Sequence, residues 1–364
     1  MVNIPNVKVG MKLIALGAVI GLAGCTAAPE PVTLPARSVS IAFAGDMMFE
    51  DHLRPLALNP DSLSELQSSL GAADLAVANL ETSITDRGTP VPGKPFTFRT
   101  SASALDAVAG AGIDALTMAN NHAFDFGDEG AADTLAAKEN SPIPIVGIGR
   151  NEAEAYAPAT LEAKGVKVAV LGASEVMEET LRYRSASADS AGIAAAAPQE
   201  RLDRLVAEVR RAKENHDIVV VMMHWGLEAM HCPGDSAIAT SKALEAAGAD
   251  AIIGSHAHRV NGHGWVGDAY VHYGTGNFVY YLNRTEAGHT GVLTLNFEVP
   301  EKVVEEGAAK VGDGSVTEAE WLPMLIGFDG VPRPAAEVAG QATADELTAL
   351  TESYRECTPA RAIG

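Results

Sequence analysis

Ile218-Val219-Val220-Val221-Met222-Met223-His224-Trp225-Gly226-Leu227-Glu228 is six apolar residues, four of them β-branched, that stop at an imidazole. An apolar run this short and without polar alternation is a strand covered on both faces, the kind found inside layered α/β proteins. The same pattern recurs along the chain. Apolar runs at 39–43, 75–78, 113–118 and 251–253 stop at Ala44-Gly45-Asp46, Asn79-Leu80-Glu81, Asn120-Asn121-His122 and Gly254-Ser255-His256-Ala257-His258. Further strand-like runs lie at 143–148, 166–171, 270–273 and 291–297. Helical patterns fall between them at 101–109, 129–139, 198–214 and 235–247. The third is clearest, with Leu202, Leu205, Val206 and Val209 at helical spacing and Pro198 near its start. Strands and helices alternating in this way predict an α/β fold. Residues 301–314, acidic and Gly-rich, read as a loop, 315–328 as one more strand pair and 344–354 as a closing helix.

Open α/β sheets bind ligands outside the carboxyl ends of their strands, so the five polar clusters should meet at one rim. Together they bring carboxylates, amide oxygens and imidazoles, the inventory of a two-metal hydrolytic site. Asp46 alone reads equally well as a cap or turn residue, and Glu81 is as ambiguous. Asn120-Asn121-His122-Ala123-Phe124-Asp125 says more, because an Asn carbonyl can ligate a hard metal while the adjacent His donates to a substrate oxygen. Asp125, three residues on, can then fix the tautomer of His122. His256 and His258 flank one residue and should project to the same side of an extended backbone. With no Cys in the set, oxygen and nitrogen donors favour Mn, Fe, Zn or Mg. The other histidines, His52, His216, His231, His263, His272 and His289, read as structural or surface residues, with His231 and His263 placed to support the cluster.

The start of the chain reads as a secretion signal: Lys8 and Lys12 precede an apolar run from Leu13 to Ala23, then Leu22-Ala23-Gly24-Cys25. That tetrad resembles a bacterial lipobox, which implies cleavage before Cys25 and lipid on its thiol. Residues 1–24 are then the lipoprotein signal and 25–38 a Pro-rich tether. The mature protein is expected outside the cytoplasm, lipid-anchored to the cell membrane. Of the three cysteines, Cys232 and Cys357 remain, to pair in an oxidising compartment or to stay free thiols. A formal charge of -21 argues against nucleic acid as a partner.

Taken in order, Gly45-Asp46, Asn79-Leu80-Glu81, the segment Asn120 to Gly127, His224 to Glu228, Gly248-Ala249-Asp250, Gly254 to His258 and Gly276-Asn277-Phe278 resemble the poly-γ-glutamate capsule synthesis family called CapA, a branch of the calcineurin-like metallophosphoesterases. The resemblance implies a four-layer α/β/β/α sandwich of the metallophosphoesterase type over residues 39–300, with 301–364 completing or packing on it. By position it makes Asp46, Glu81, Asn121, His224, His256 and His258 the metal set for two divalent ions, and His122 the group beside a scissile phosphate. Three positions depart from the superfamily pattern. Met48 stands where a His is usual, Glu81 where the bridging residue is usually Asp, and Ala257 where Pro often separates the paired His residues. The functions implied are a metal-dependent phosphoesterase acting on a phosphoester or an anionic polymer, a non-catalytic factor for a membrane polymer synthase or export complex, or a periplasmic nucleotidase-like phosphatase.

Overall fold

A computed structural model describes residues 1–2, 32–176, 178, 184–283, 285–304 and 311–357. Two sheets lie face to face. The first has seven strands in the order Pro332–Pro334, Ser315–Ile326, His289–Val299, Arg37–Met47, Leu75–Leu80, Ala115–Thr117 and Ile145–Val146. The second has six, in the order His263–Val266, Ala269–His272, Ala251–Ser255, Ile218–His224, Val166–Ser174 and Ala159–Ala163. The central strands of each are parallel, so their carboxyl ends point one way.

Alternation along each strand assigns the layers. In Arg37–Met47, Val39, Ile41 and Phe43 face the second sheet, while Ala42 and Ala44 face the helices Ala104–Gly110 and Gly127–Glu139. In Ile218–His224, Ile218, Val220 and Met222 enter the inter-sheet core, while Val219, Val221 and Met223 face the helices Gln199–Lys213 and Asp235–Glu245. Both faces of both sheets are therefore covered, which is why the strands read as near-continuous apolar runs. The result is the four-layer α/β/β/α sandwich.

The ends of the domain differ in detail from the sequence reading. Residues 315–328 form one long strand, Ser315–Ile326, paired with His289–Val299 on one side and Pro332–Pro334 on the other. Of the segment 25–38, Val32–Leu34 pairs with Lys302–Val304, a strand inside the span read as a loop, and Arg37 opens the first long strand. The closing helix is Gln341–Ser353, and Cys357 beyond it is disulfide-bonded to Cys232. The lipobox at 22–25 lies outside the described residues. Among the described residues, no helix is long and apolar enough to cross a membrane.

Candidate metal centre

Asp46 reaches the rim through a local irregularity. The pairing of its strand with Leu75–Leu80 shifts register between Phe43 and Asp46, and such a shift re-aims a side chain. Gly45 permits it: a Cβ there would lie 1.9 Å from the carbonyl oxygen of Gly276. The segment after Gly276 then runs beside Asp46, with Asp46 N donating to Gly276 O at 3.0 Å and Phe278 N donating to Asp46 O at 2.7 Å. That contact brings Asn277 to the centre. Glu81 follows the neighbouring strand, its N bonded to Met47 O.

On the second sheet, His224 and Ser255 are direct neighbours at the ends of adjacent strands. The pair His256 and His258 does not continue an extended backbone, as the sequence suggested. Both have positive φ, 87° and 51°, so the chain curls after Ser255 and sends the two rings to different places. Positive φ is uncommon for residues other than glycine and is held here by the surrounding contacts. Gly254 precedes the curl because a Cβ would meet Tyr273 O at 2.0 Å.

Two groups of donor atoms result, each within 4.8 Å of one another: Glu81, His224 and His256 in one, Asp46, Glu81 and His258 in the other. Glu81 belongs to both. His224 Nε2 lies 3.3 Å from Glu81 Oε1 and 2.8 Å from Asn121 Oδ1, while its Nδ1 faces Ser255 Oγ at 2.9 Å. The Ser255 contact orients the ring so that Nε2 points inward. His258 Nδ1 lies 3.2 Å from Asp46 Oδ2, 3.9 Å from Glu81 Oε2 and 2.8 Å from Asn277 Oδ1. Asn79 donates to Asp46 Oδ1 at 2.8 Å and accepts from Asn120 Nδ2 at 3.1 Å, a chain of amides that fixes the carboxylate.

The electrostatics show what the donors need. Burial, then the charge of Asp46, pushes Glu81 up to about 8. Burial favours neutral His258, yet Glu81 and Asp46 outweigh it and raise the imidazole to about 9. Burial also works against Asp46, but the hydrogen bond and charge of His258 hold its carboxyl below its ordinary value. Burial drives His224 down to about 3 and His256 well below its usual value. Both Glu81 oxygens and His256 Nδ1 are buried with no hydrogen-bond partner. A buried carboxylate without donors is costly unless it is paired or coordinates a metal. The donor set therefore fits divalent metal ions.

His122 stands beside this set, close enough for its charge to bear on Glu81 and His224. Its Nδ1 lies 2.7 Å from Asp125 Oδ2, and the Phe98 ring stacks on it at 4.2 Å. Asp125 also accepts from Phe98 N at 2.7 Å and Lys94 Nζ at 2.6 Å. The centre thus gathers Asp46, Glu81, Asn121, His122, Asp125, His224, His256 and His258. It adds Asn79, Lys94, Ser255 and Asn277, whose parts were not assigned from sequence. Met48 is fully buried and turned away, its Sδ accepting from Glu50 N at 3.4 Å. His263 is bound to Tyr270 Oη, whereas His231 Nδ1 bonds to Val260 O and braces the segment after His258.

Known proteins similar to this chain are capsule synthesis proteins and, among solved structures, a putative nucleotidase. An alignment with "PGA biosynthesis protein CapA" of Bacillus subtilis is 27% identical over 281 residues, 76% of this chain and 72% of that protein. "Capsule biosynthesis protein CapA" of Bacillus anthracis is 33% identical over 57% of this chain and 51% of its own length, so the chain spans about half of that relative. Among solved structures, a putative 5'-nucleotidase from Staphylococcus aureus covers 87% of this chain and 58% of its own, at 16% identity and a TM-score of 0.46. Residues 40–281 match the family model described as "Bacterial capsule synthesis protein PGA_cap". The chain belongs to that bacterial capsule synthesis family.

Proposed function

We propose that this protein is a membrane-anchored, extracytoplasmic phosphoesterase of capsule or envelope polymer synthesis, of the poly-γ-glutamate type, working with two divalent ions. The observation that carries the reading is Glu81, fully buried, shared by both donor groups and without a hydrogen-bond donor on either oxygen. A two-metal site uses such a carboxylate to hold its ions together. Divalent ions bound there would polarise a phosphoryl oxygen and acidify an attacking water. His224 and His256 would hold one ion and Asp46 and His258 the other, with Asn121 completing the set.

The remaining chemistry belongs to His122. Its Nδ1–H donates to Asp125, which leaves Nε2 as the atom that takes or gives a proton. In the protonated form Nε2–H would protonate a leaving oxygen. Phe98 on the ring face and Lys94 on Asp125 hold this pair in place. The lipobox-like Leu22-Ala23-Gly24-Cys25 supports membrane anchoring beside a polymer synthase or export complex. A non-catalytic role in that assembly is the second reading. It is favoured by Met48, which leaves the Asp46 group one imidazole short of the superfamily pattern. Metal analysis of the purified protein with a panel of phosphomonoesters and phosphodiesters tests the first reading. Hydrolysis that is lost with the metal supports it, and a metal-loaded protein that hydrolyses nothing transfers the case to the second.

A further inference from the structure

The curl that carries His256 and His258 is braced along one side by the loop after His224. Ala229 N donates to Ala257 O at 2.8 Å, Asn261 Nδ2 donates to Met230 O at 3.0 Å, and Gly262 N donates to His231 O at 3.0 Å. His231 Nδ1 donates to Val260 O at 2.8 Å. Ala229 shares the left-handed backbone of the two histidines, at φ 61°. Residues other than glycine persist in that region only while their surroundings hold them, and here the two strained segments hold each other.

The loop is held in turn by the end of the chain. The His231 ring stacks on Tyr354, with centroids 4.4 Å apart and planes 16° from parallel, and the next residue, Cys232, is joined to Cys357. These contacts come from the helix Gln341–Ser353 and the turn Tyr354–Cys357, whose own attachment to the sheet is slight. In the helix Ala344, Leu347 and Thr351 are buried, and in the turn no residue is. A segment with so few buried apolar contacts is among the first to open locally. Cys232 is exposed and Cys357 half-buried, so a thiolate can reach the bond in the folded protein.

We propose that the disulfide between Cys232 and Cys357 is a redox latch on the metal centre. Closed, it keeps Tyr354 against His231 and so fixes the curl that positions His256 and His258. Opened, it frees the C-terminal segment and loosens both donors. In the opening step a dithiol breaks the S–S bond: its two thiols close to a disulfide, and the two electrons and two protons they give leave Cys232 and Cys357 as thiols. The centre then holds its ions firmly only in an oxidising environment. The loss of metal rests on the reading of this centre as a metal site, whereas the loosening of the curl does not.

Hydrogen exchange on the metal-free full chain, with Mn titration by calorimetry beside it, tests the latch. In Cys232→Ser/Cys357→Ser, exchange at residues 227–231 and 256–262 should rise about tenfold or more while the strands at 218–223 and 251–254 stay protected. Mn affinity should fall by roughly 10–100-fold, the range for loss of a group that orients metal ligands. Tyr354→Ala, with the disulfide kept, should raise exchange in the same residues by a smaller factor. Dithiothreitol should reduce folded wild type and reproduce the exchange of the double variant. Unchanged exchange at 256–262 without the disulfide overturns the latch, as does an Mn affinity equal to that of a metal-binding wild type. A rise shared equally with the strands also overturns it, since the bond is then a staple of the whole fold. A bond that dithiothreitol opens only on unfolding overturns the redox control. A wild type that takes up no Mn removes the metal reading, and exchange in the metal-free protein still decides whether the disulfide holds the curl.

Discussion

Replacing Glu81 by Gln should stabilise the metal-free protein and destabilise the metal-loaded one relative to wild type. Glu81 is raised from 4.5 to about 8 in the folded chain. Its folded value lies above its unfolded one, so between those limits the unfolded chain releases a proton that the folded chain keeps. The penalty on folding is absent below pH 4.5, grows as pH rises and is complete above about 8. At pH 7 it amounts to about 3 kcal/mol at 1.36 kcal/mol per pH unit. An amide of the same shape carries no such charge, but its buried N–H groups also lack partners and return about 1–2 kcal/mol of the gain. The net is roughly 1–2 kcal/mol in favour of Gln, on the order of 2–5 °C in melting temperature. With metal the order reverses, since wild type gains about 2.7 kcal/mol at a free ion concentration one hundred times its Kd and the variant gains far less. Thermal melts of both proteins, in chelator and in excess Mn or Zn, measure the crossing. A Glu81→Gln protein less stable than wild type in chelator, or a wild type indifferent to metal, refutes the reasoning.

Three further outcomes follow from the same centre. Metal affinity should rise steeply as pH climbs from 7 to 9, because Glu81 at about 8 and His258 at about 9 must release protons to become ligands; calorimetry in buffers of different ionisation enthalpy counts those protons, and a flat profile contradicts the donor assignment. His122→Ala should keep its metal and lose about 100-fold or more in hydrolysis, whereas His256→Ala should lose both, as read by elemental analysis beside phosphoester turnover. If the two variants lose metal equally, the division of roles is wrong. Cys25→Ser should move the protein from the membrane to the soluble fraction, since firm anchoring needs acyl chains that the variant lacks; unchanged retention on fractionation removes the lipid anchor.

Much of the fold was legible because the buried strands carry so little polar residue. Runs such as 218–223 and 251–253 mark strands covered on both faces, and the polar residues that stop them mark one rim. What was not legible depends on approach in three dimensions. Glu81 is an ordinary strand-end acid in sequence, and its sharing between two donor groups appears only when His224 and His258 come in from the other sheet. The curl at His256 and His258 is imposed by packing, since neither residue favours positive φ by itself. Lys94 sits in a Pro-Gly-Lys-Pro turn with no periodic signal, and its pairing with Asp125 spans 31 residues. Asn277 lies in a Gly-x-Gly-Asn segment that suggests a loop, and the contact of Gly276 with Gly45 is what carries it to His258. The strand Ala159–Ala163 carries Glu162 and partly exposed alanines, an edge strand that lacks the apolar continuity of its neighbours.

If Glu81 joins two metal ions, both ions must sit within reach of its carboxylate. Crystals of the Mn-loaded protein, with anomalous difference maps at the Mn edge, measure this directly. The expected result is two peaks about 3.5–4 Å apart, one beside His224 and His256 and the other beside Asp46 and His258, with a Glu81 oxygen on each. A single peak, or two peaks that Glu81 does not touch, would contradict it.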